Sequence, residues 1–309
     1  MRKRRWGIAV LLGIGIIINY FDRTNMSVAT KPLMSEFHLS DGQMGILLSS
    51  FAWSYALLQI PIGTLLDKIG VKWLMRIGTL LWSVATFMTA IVSGMGLIIL
   101  SRILLGIAEA PAFPGASKAT GYWFPRQERS LATSAFDAAA KFSNVIGVPL
   151  VAWAVMAWGW RGGFFLTAIL SLVYAAAYWI WYRDPKDDNN LSKEEFAYIV
   201  EGGAQEIGEA PGGVMKNLGY VLAQRKVWGL TIGFAAYGYS FYLFLTWLPV
   251  YLTPLFCLPN FFSFSVRTTV EPRQCMMQRC AVFVHGQEAM HGGTETNQSN
   301  RVAILFHGV

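Results

Sequence analysis

Long apolar runs alternate with short polar connections along most of this chain. Scanning for stretches of about 20 mainly apolar residues, enough to cross a hydrocarbon core of about 30 Å, predicts seven spanning helices. They fall near residues 7–30, 42–66, 73–93, 96–121, 131–157, 160–182 and 227–252. Between the sixth and seventh lies "RDPKDDNNLSKEEFAYIVEGGAQEIGEAPGG", a polar linker with a short amphipathic helix expected around "SKEEFAYIV". Beyond Thr253 the pattern ends: "CLPNFFSFSV" is too short to span and is interrupted by Pro259, and the remainder has no helical or strand period of useful length.

Composition agrees with the pattern. Of 309 residues, 54% are hydrophobic and 14% charged, too few charges for an ordinary soluble domain; mean hydropathy is +0.41. The net charge of +7 would suit a nucleic-acid partner, but its placement argues against one. Basic residues gather at 2–5, 68–76, 126–129 and 183–226, which are alternate connections, whereas the intervening ones hold little beyond Lys31 and Arg161. The positive-inside rule then places the N-terminus and the linker in the cytoplasm of a multi-pass inner-membrane protein surrounded by lipid. The opening "MRKRRWGIAVLLGIGIII" has the basic head of a signal peptide, but no small-residue cleavage site follows, and "NYFDR" comes instead.

Several spans carry charge, and each ionisable side chain at mid-helix costs about 2.5–3.5 kcal/mol to insert. In span four, Arg102 and Glu109 lie almost two turns apart on one face, about 10 Å along the axis. In span one, "INYFDRTNMS" sets Asp22 beside Arg23, so the two must point in different directions. Tyr55 and Gln59 share a face of span two, and Ser134, Asp137, Lys141 and Asn144 form a polar stripe on span five. One reading is structural: Asp137 pairs with Lys141, and Arg23 or Arg102 with Asp22 or Glu109. The other is functional. Forked guanidinium donors suit a carboxylate substrate and buried acids can carry protons, so an anion and a proton bound in one cavity would make a symporter. In the loop "GTLLDKIGVK", Gly63 would allow close helix approach, and Asp67 would cap a helix start or meet an arginine.

Gly63, Asp67, Lys68, Gly70 and Lys72, spaced G-x-x-x-D-K-x-G-x-K, resemble the loop signature of the major facilitator superfamily, and Arg102-x-x-x-Gly106 is similar to its fourth-helix motif. With "NYFDRTNMSVA", "FAWSYALLQIP", "RILLGIAEAPAFPG" and "WFPRQERSLA", residues 6 to about 253 resemble the anion:cation symporters within it. These include bacterial carriers of aldonates, hexuronates, glucarate and phthalate. The resemblance implies an all-α carrier of twelve helices built from three-helix repeats, monomeric when complete, with spans one and four lining a central cavity. It implies that Arg23, Arg102, Tyr20, Tyr55, Gln59 and Lys141 bind a small organic anion and that Asp22 and Glu109 bind the coupling proton, with no other cofactor. Some relatives carry glutamine where Lys141 stands, which leaves the anion open.

The expected organisation is therefore a six-helix bundle (1–182), a cytoplasmic linker (183–226), a seventh span (227–253) and a tail (254–309). All three cysteines and no lysine fall in the tail, as expected of out-of-frame or truncated sequence. A zinc-binding tail through Cys275, Cys280, His285 and His291 is the alternative, with spacings that fit a zinc knuckle only loosely. "NQSN" at Asn297 matches a glycosylation sequon, which a bacterial origin would make a chance match. No nucleotide-binding loop, hydrolase elbow or paired-histidine site in the spans points to an enzyme. The competing classes are a symporter subunit completed by another chain, an inactive remnant of a symporter, and a membrane-anchored binding protein.

Overall fold

The computed structural model describes residues 4–205 and 219–256, with side chains through residue 240. The first unit, up to residue 225, is a helical bundle. Helix α1 (Arg4–Phe37) has 34 residues, about 51 Å of axis, and so overruns the hydrocarbon thickness at its ends. Helix α2 (Asp41–Ile69) starts at a reciprocal cap: Ser40 Oγ accepts from Gln43 N–H, and Gln43 Oε1 accepts from Ser40 N–H at 2.9 Å. It ends at Gly70, whose φ of +84° strains any residue with a Cβ, and α3 (Val71–Ile91) begins at once.

The fourth predicted span is two helices, α4 (Met95–Glu109) and α5 (Ala112–Trp123). The physical cause is Pro111 followed by Pro114: neither has an N–H, so the carbonyls four residues earlier lose their helical donors. The break falls directly after Glu109.

Spans five and six run as one 56-residue element, α6 (Arg126–Trp181), interrupted at Gly159 with φ 75° and ψ 175°. Its contacts show a hairpin along α1. Gly13 meets Ala139 and Phe21 meets Gly147 on the way up; Asn25 then meets Thr167, and Gly15 meets Tyr174, on the way down. Small residues permit these approaches, the usual solution where lipid offers no hydrophobic drive between helices. Helices α2 and α3 pack on α4, and α3 also packs on α6. Bulky apolar side chains such as Trp53, Leu57, Phe142 and Ile169 stay exposed, facing the region that lipid or another apolar surface would cover.

The linker helix α7 (Lys193–Glu201) is capped by Ser192 and ties the basic end of the bundle together. Buried Glu195 accepts from the backbone N–H of Arg4 at 3.0 Å and of Arg5 at 3.3 Å, the unsatisfied donors at the start of α1. It also takes Arg5 Nη1 at 2.9 Å, while Arg5 Nε and the Tyr198 hydroxyl both reach Glu128 at the start of α6. Glu195→Ala removes an acid that accepts from three donors and leaves Arg5 with Glu128 alone as its carboxylate partner. Thermal unfolding in detergent should show a loss of about 3 kcal/mol; an unchanged Tm would mean that α7 is merely resting on the bundle.

The second unit contributes α8 (Arg225–Phe256), which carries the predicted seventh span. The expected tail, with Cys275, Cys280, His285 and His291, lies outside the described residues.

Candidate functional site

Helices α1, α2 and α4 bring two arginines and two carboxylates together inside the bundle. Arg102 is 3% exposed, and Asp22 and Glu109 are wholly buried. Arg23 Nε donates to Glu109 Oε2 at 3.4 Å. Its guanidinium also lies over three rings, Tyr55 at 4.8 Å, Tyr20 at 4.9 Å and Phe51 at 5.2 Å. Arg102 lies over Phe51 at 5.1 Å, so one ring serves both cations. Arg102 is within electrostatic reach of Glu109, Asp22 and Arg23.

Neighbours in the chain, Asp22 and Arg23 leave α1 in different directions. Asp22 turns to the descending arm of α6, where Ser171 Oγ donates to its Oδ2 at 3.2 Å, and the hydroxyls of Thr86 and Thr167 stand nearby. The group is electrically balanced, two cations against two anions, but its hydrogen bonding is incomplete. Arg102 Nε and Nη1, Glu109 Oε1, both amide atoms of Asn19 and Gln59 Nε2 are buried and find no partner among the described residues. Buried polar atoms normally have one, so an orphaned set converging from three helices is what a polar ligand or a proton path requires.

Close approach of α2 to α4 sets this geometry. Gly106 sits one turn after Arg102, and a Cβ there would stand 2.1 Å from Ser54 Oγ and 2.7 Å from the Phe51 carbonyl. The glycine lets the segment bearing Phe51 and Tyr55 lie against the arginines.

Other predicted residues fall elsewhere. Lys141, with Asp137 and Ser134, lies on an exposed face of α6, outside the buried cluster. Among the described residues Gly63 has no close neighbour: a Cβ there meets nothing within 4 Å. The partner of Asp67 is Lys118 on α5 rather than a helix start or an arginine. Lys68 is exposed, Gly70 supplies the left-handed turn, and Lys72 pairs with Asp187 of the linker at 2.9 Å. Two of the motif's residues, Asp67 and Lys72, thus tie elements together at the bundle's basic end. Sequence reasoning overlooked Phe51, Thr86, Thr167, Ser171 and Lys118; only Thr167 and Ser171, four apart on one face of span six, left a readable trace.

The model of the Major Facilitator Superfamily matches residues 12–266. The chain belongs to that superfamily. It is accordingly a multi-pass membrane protein, related to transporters rather than enzymes. An uncharacterized transporter of Bacillus subtilis, YybO, is 45% identical over 250 residues, covering 80% of this chain and 57% of the relative. The probable galactarate/D-glucarate transporter GarP of Escherichia coli K12 is 33% identical over 263 residues, covering 80% of this chain and 59% of that protein. The hexuronate transporter of the same strain is 30% identical over 249 residues, covering 80% and 57%. The chain thus spans rather more than half the length of these relatives. Among solved structures, a bacterial homologue of the human lysosomal transporter Spinster superposes with a TM-score of 0.60 at 20% identity, covering 82% of this chain and 56% of the other, a likeness of fold.

Proposed function

We propose that this protein is the substrate- and proton-binding part of a symporter for a sugar acid, driven by protons across the cytoplasmic membrane with the N-terminus inside. The observation that carries the reading is the set of buried Arg102, Asp22 and Glu109 with half-buried Arg23, balanced in charge yet short of hydrogen-bond partners. Relatives named for galactarate, glucarate and hexuronate support a carboxylate as the anion.

In this mechanism Glu109 and Asp22 hold the two guanidiniums while both acids are ionised. Proton transfer from water to a carboxylate oxygen removes one negative charge and weakens its hold on the arginine. The substrate carboxylate then takes the vacated donors, and Arg23 keeps its aromatic seat against Tyr20, Tyr55 and Phe51 throughout. Binding of the anion and of the proton are thereby favourable to one another, and that mutual dependence is the coupling. Tyr55 and Gln59 supply hydrogen bonds to substrate hydroxyls. Lys141, on its exposed stripe, meets a second anionic group or is neutralised by Asp137.

The purified chain reconstituted in proteoliposomes tests this. Labelled galactarate or hexuronate should accumulate under an inward proton gradient, collapse to equilibrium with a protonophore, and fail to bind Arg102→Gln. Uptake that follows a sodium gradient regardless of pH would overturn the coupling. Binding that survives loss of Arg102 would overturn the anion site. Absence of uptake with intact, Arg102-dependent binding would assign this chain the binding site without the transport step.

A further inference from the structure

At the basic end of the bundle, far from the arginine cluster, a cavity of about 690 Å³ opens between the start of α1 and the end of α6. Arg4 and Arg23 are 19 positions apart on one helix, about 28 Å, so the cavity is a separate site. Its floor is Gly7, exposed, where a Cβ would meet nothing within 4 Å. Its outer lip is Ile180 and Trp181, 65% and 59% exposed on the α6 surface. An exposed indole at a helix end beside charged groups is the usual marker of the membrane interface.

Charge inside the cavity is largely matched. Arg4 Nε binds Asp188 at 3.0 Å and its Nη2 binds the Trp181 carbonyl, while Asp187 is taken by Lys72. Arg183 is the additional cation. Its Nη1 donates to the carbonyls of Trp179 at 3.0 Å and Tyr182 at 3.2 Å, which caps α6 and fixes the guanidinium at the cavity wall. Arg76 donates to the same two carbonyls from α3, so two guanidiniums crowd one helix end. A roomy polar cavity whose two carboxylates are already engaged, leaving the Arg183 guanidinium without a carboxylate partner among the described residues, beside an apolar lip and an interfacial tryptophan, matches the two-part chemistry of a phospholipid.

We propose that this cavity binds the headgroup of an anionic glycerophospholipid, its phosphodiester on Arg183 and its acyl chains along Ile180 and Trp181. The site lies in the cytoplasmic leaflet under the orientation proposed above, but binding itself is independent of that orientation and of transport.

Native mass spectrometry on the full chain, delipidated in detergent and titrated with phosphatidylglycerol or phosphatidylcholine, tests it. One phosphatidylglycerol should be retained about five-fold more tightly than phosphatidylcholine, the scale expected of one interfacial cation. Arg183→Gln should erase the preference and Arg183→Lys restore most of it. Gly7→Leu, which leaves every charge in place and fills the floor, should weaken phosphatidylglycerol retention in a chain whose circular dichroism is unchanged. Equal retention of the two lipids would overturn the proposal, as would indifference to both Arg183→Gln and Gly7→Leu. Displacement of the lipid by millimolar inorganic phosphate would mean a site for free phosphate instead.

Discussion

Glu109→Gln is expected to lower the stability of the detergent-solubilised chain by about 3–5 kcal/mol, the usual consequence of removing one partner from a buried ion pair. Glu109 is wholly buried at the end of α4, 3.4 Å from Arg23 and within reach of Arg102. Without its charge the buried guanidinium of Arg102 and the half-buried one of Arg23 face one carboxylate, Asp22. A sugar acid would supply the missing negative charge. Added galactarate or galacturonate should therefore raise Tm more in the variant than in the unaltered chain; at a hundred times its own Kd the ligand stabilises the variant by about 2.7 kcal/mol relative to the ligand-free variant. In a complete carrier, under the proposed coupling, the same substitution should abolish accumulation driven by a proton gradient while exchange of labelled for unlabelled substrate continues, because the anion site persists and only its proton carrier is gone. A variant as stable as the original, or one that still concentrates substrate against a gradient, would show that Glu109 neither restrains the arginines nor couples transport.

Gly106→Val acts through the backbone rather than through charge. The added Cβ would press on the Phe51 carbonyl and Ser54 Oγ of α2, and a carbonyl inside a helix cannot swing aside as a side-chain tip can. Helix α2 must shift by several tenths of an ångström, which costs about 1–3 kcal/mol as overpacking. The shift also carries Phe51 and Tyr55 away from Arg23, and site geometry is sensitive on that scale: misplacement of about 1 Å can cost 10²-fold. Thermal unfolding and a sugar-acid binding isotherm should therefore deteriorate together. Gly63→Val is the matched control, since its Cβ meets nothing within 4 Å, and should change neither by a comparable amount. Equal effects at the two glycines would remove the case that α2 is seated against α4 by Gly106.

The two glycines also separate what could be read along the chain from what could not. Both stand in motifs inside apolar helices, and nothing local distinguishes them. Close packing was expected at Gly63, but it belongs to Gly106, because only the crossing of α2 over α4 decides which position has backbone opposite it. The same holds for the charges. Arg102 and Glu109 sharing a face followed from helix geometry, as did the divergence of Asp22 and Arg23; the union of Arg23 with Glu109, rather than with Asp22, depended on the rotation of α1 against α4.

By itself the sequence determined where the long apolar runs lie, the charges inside them and the turn near Gly159. Hydrocarbon thickness imposes a minimum length on every crossing, and the cost of inserting a charge makes each exception visible; both are local properties of the chain. Only the tertiary structure decided that Phe51 lies beneath both arginines, that Lys141 sits on an exposed stripe, and that Glu195 of the linker caps α1 from 190 residues away. Those outcomes depend on how helices rotate and cross, and spacing within a single helix carries no information about the helix it will meet.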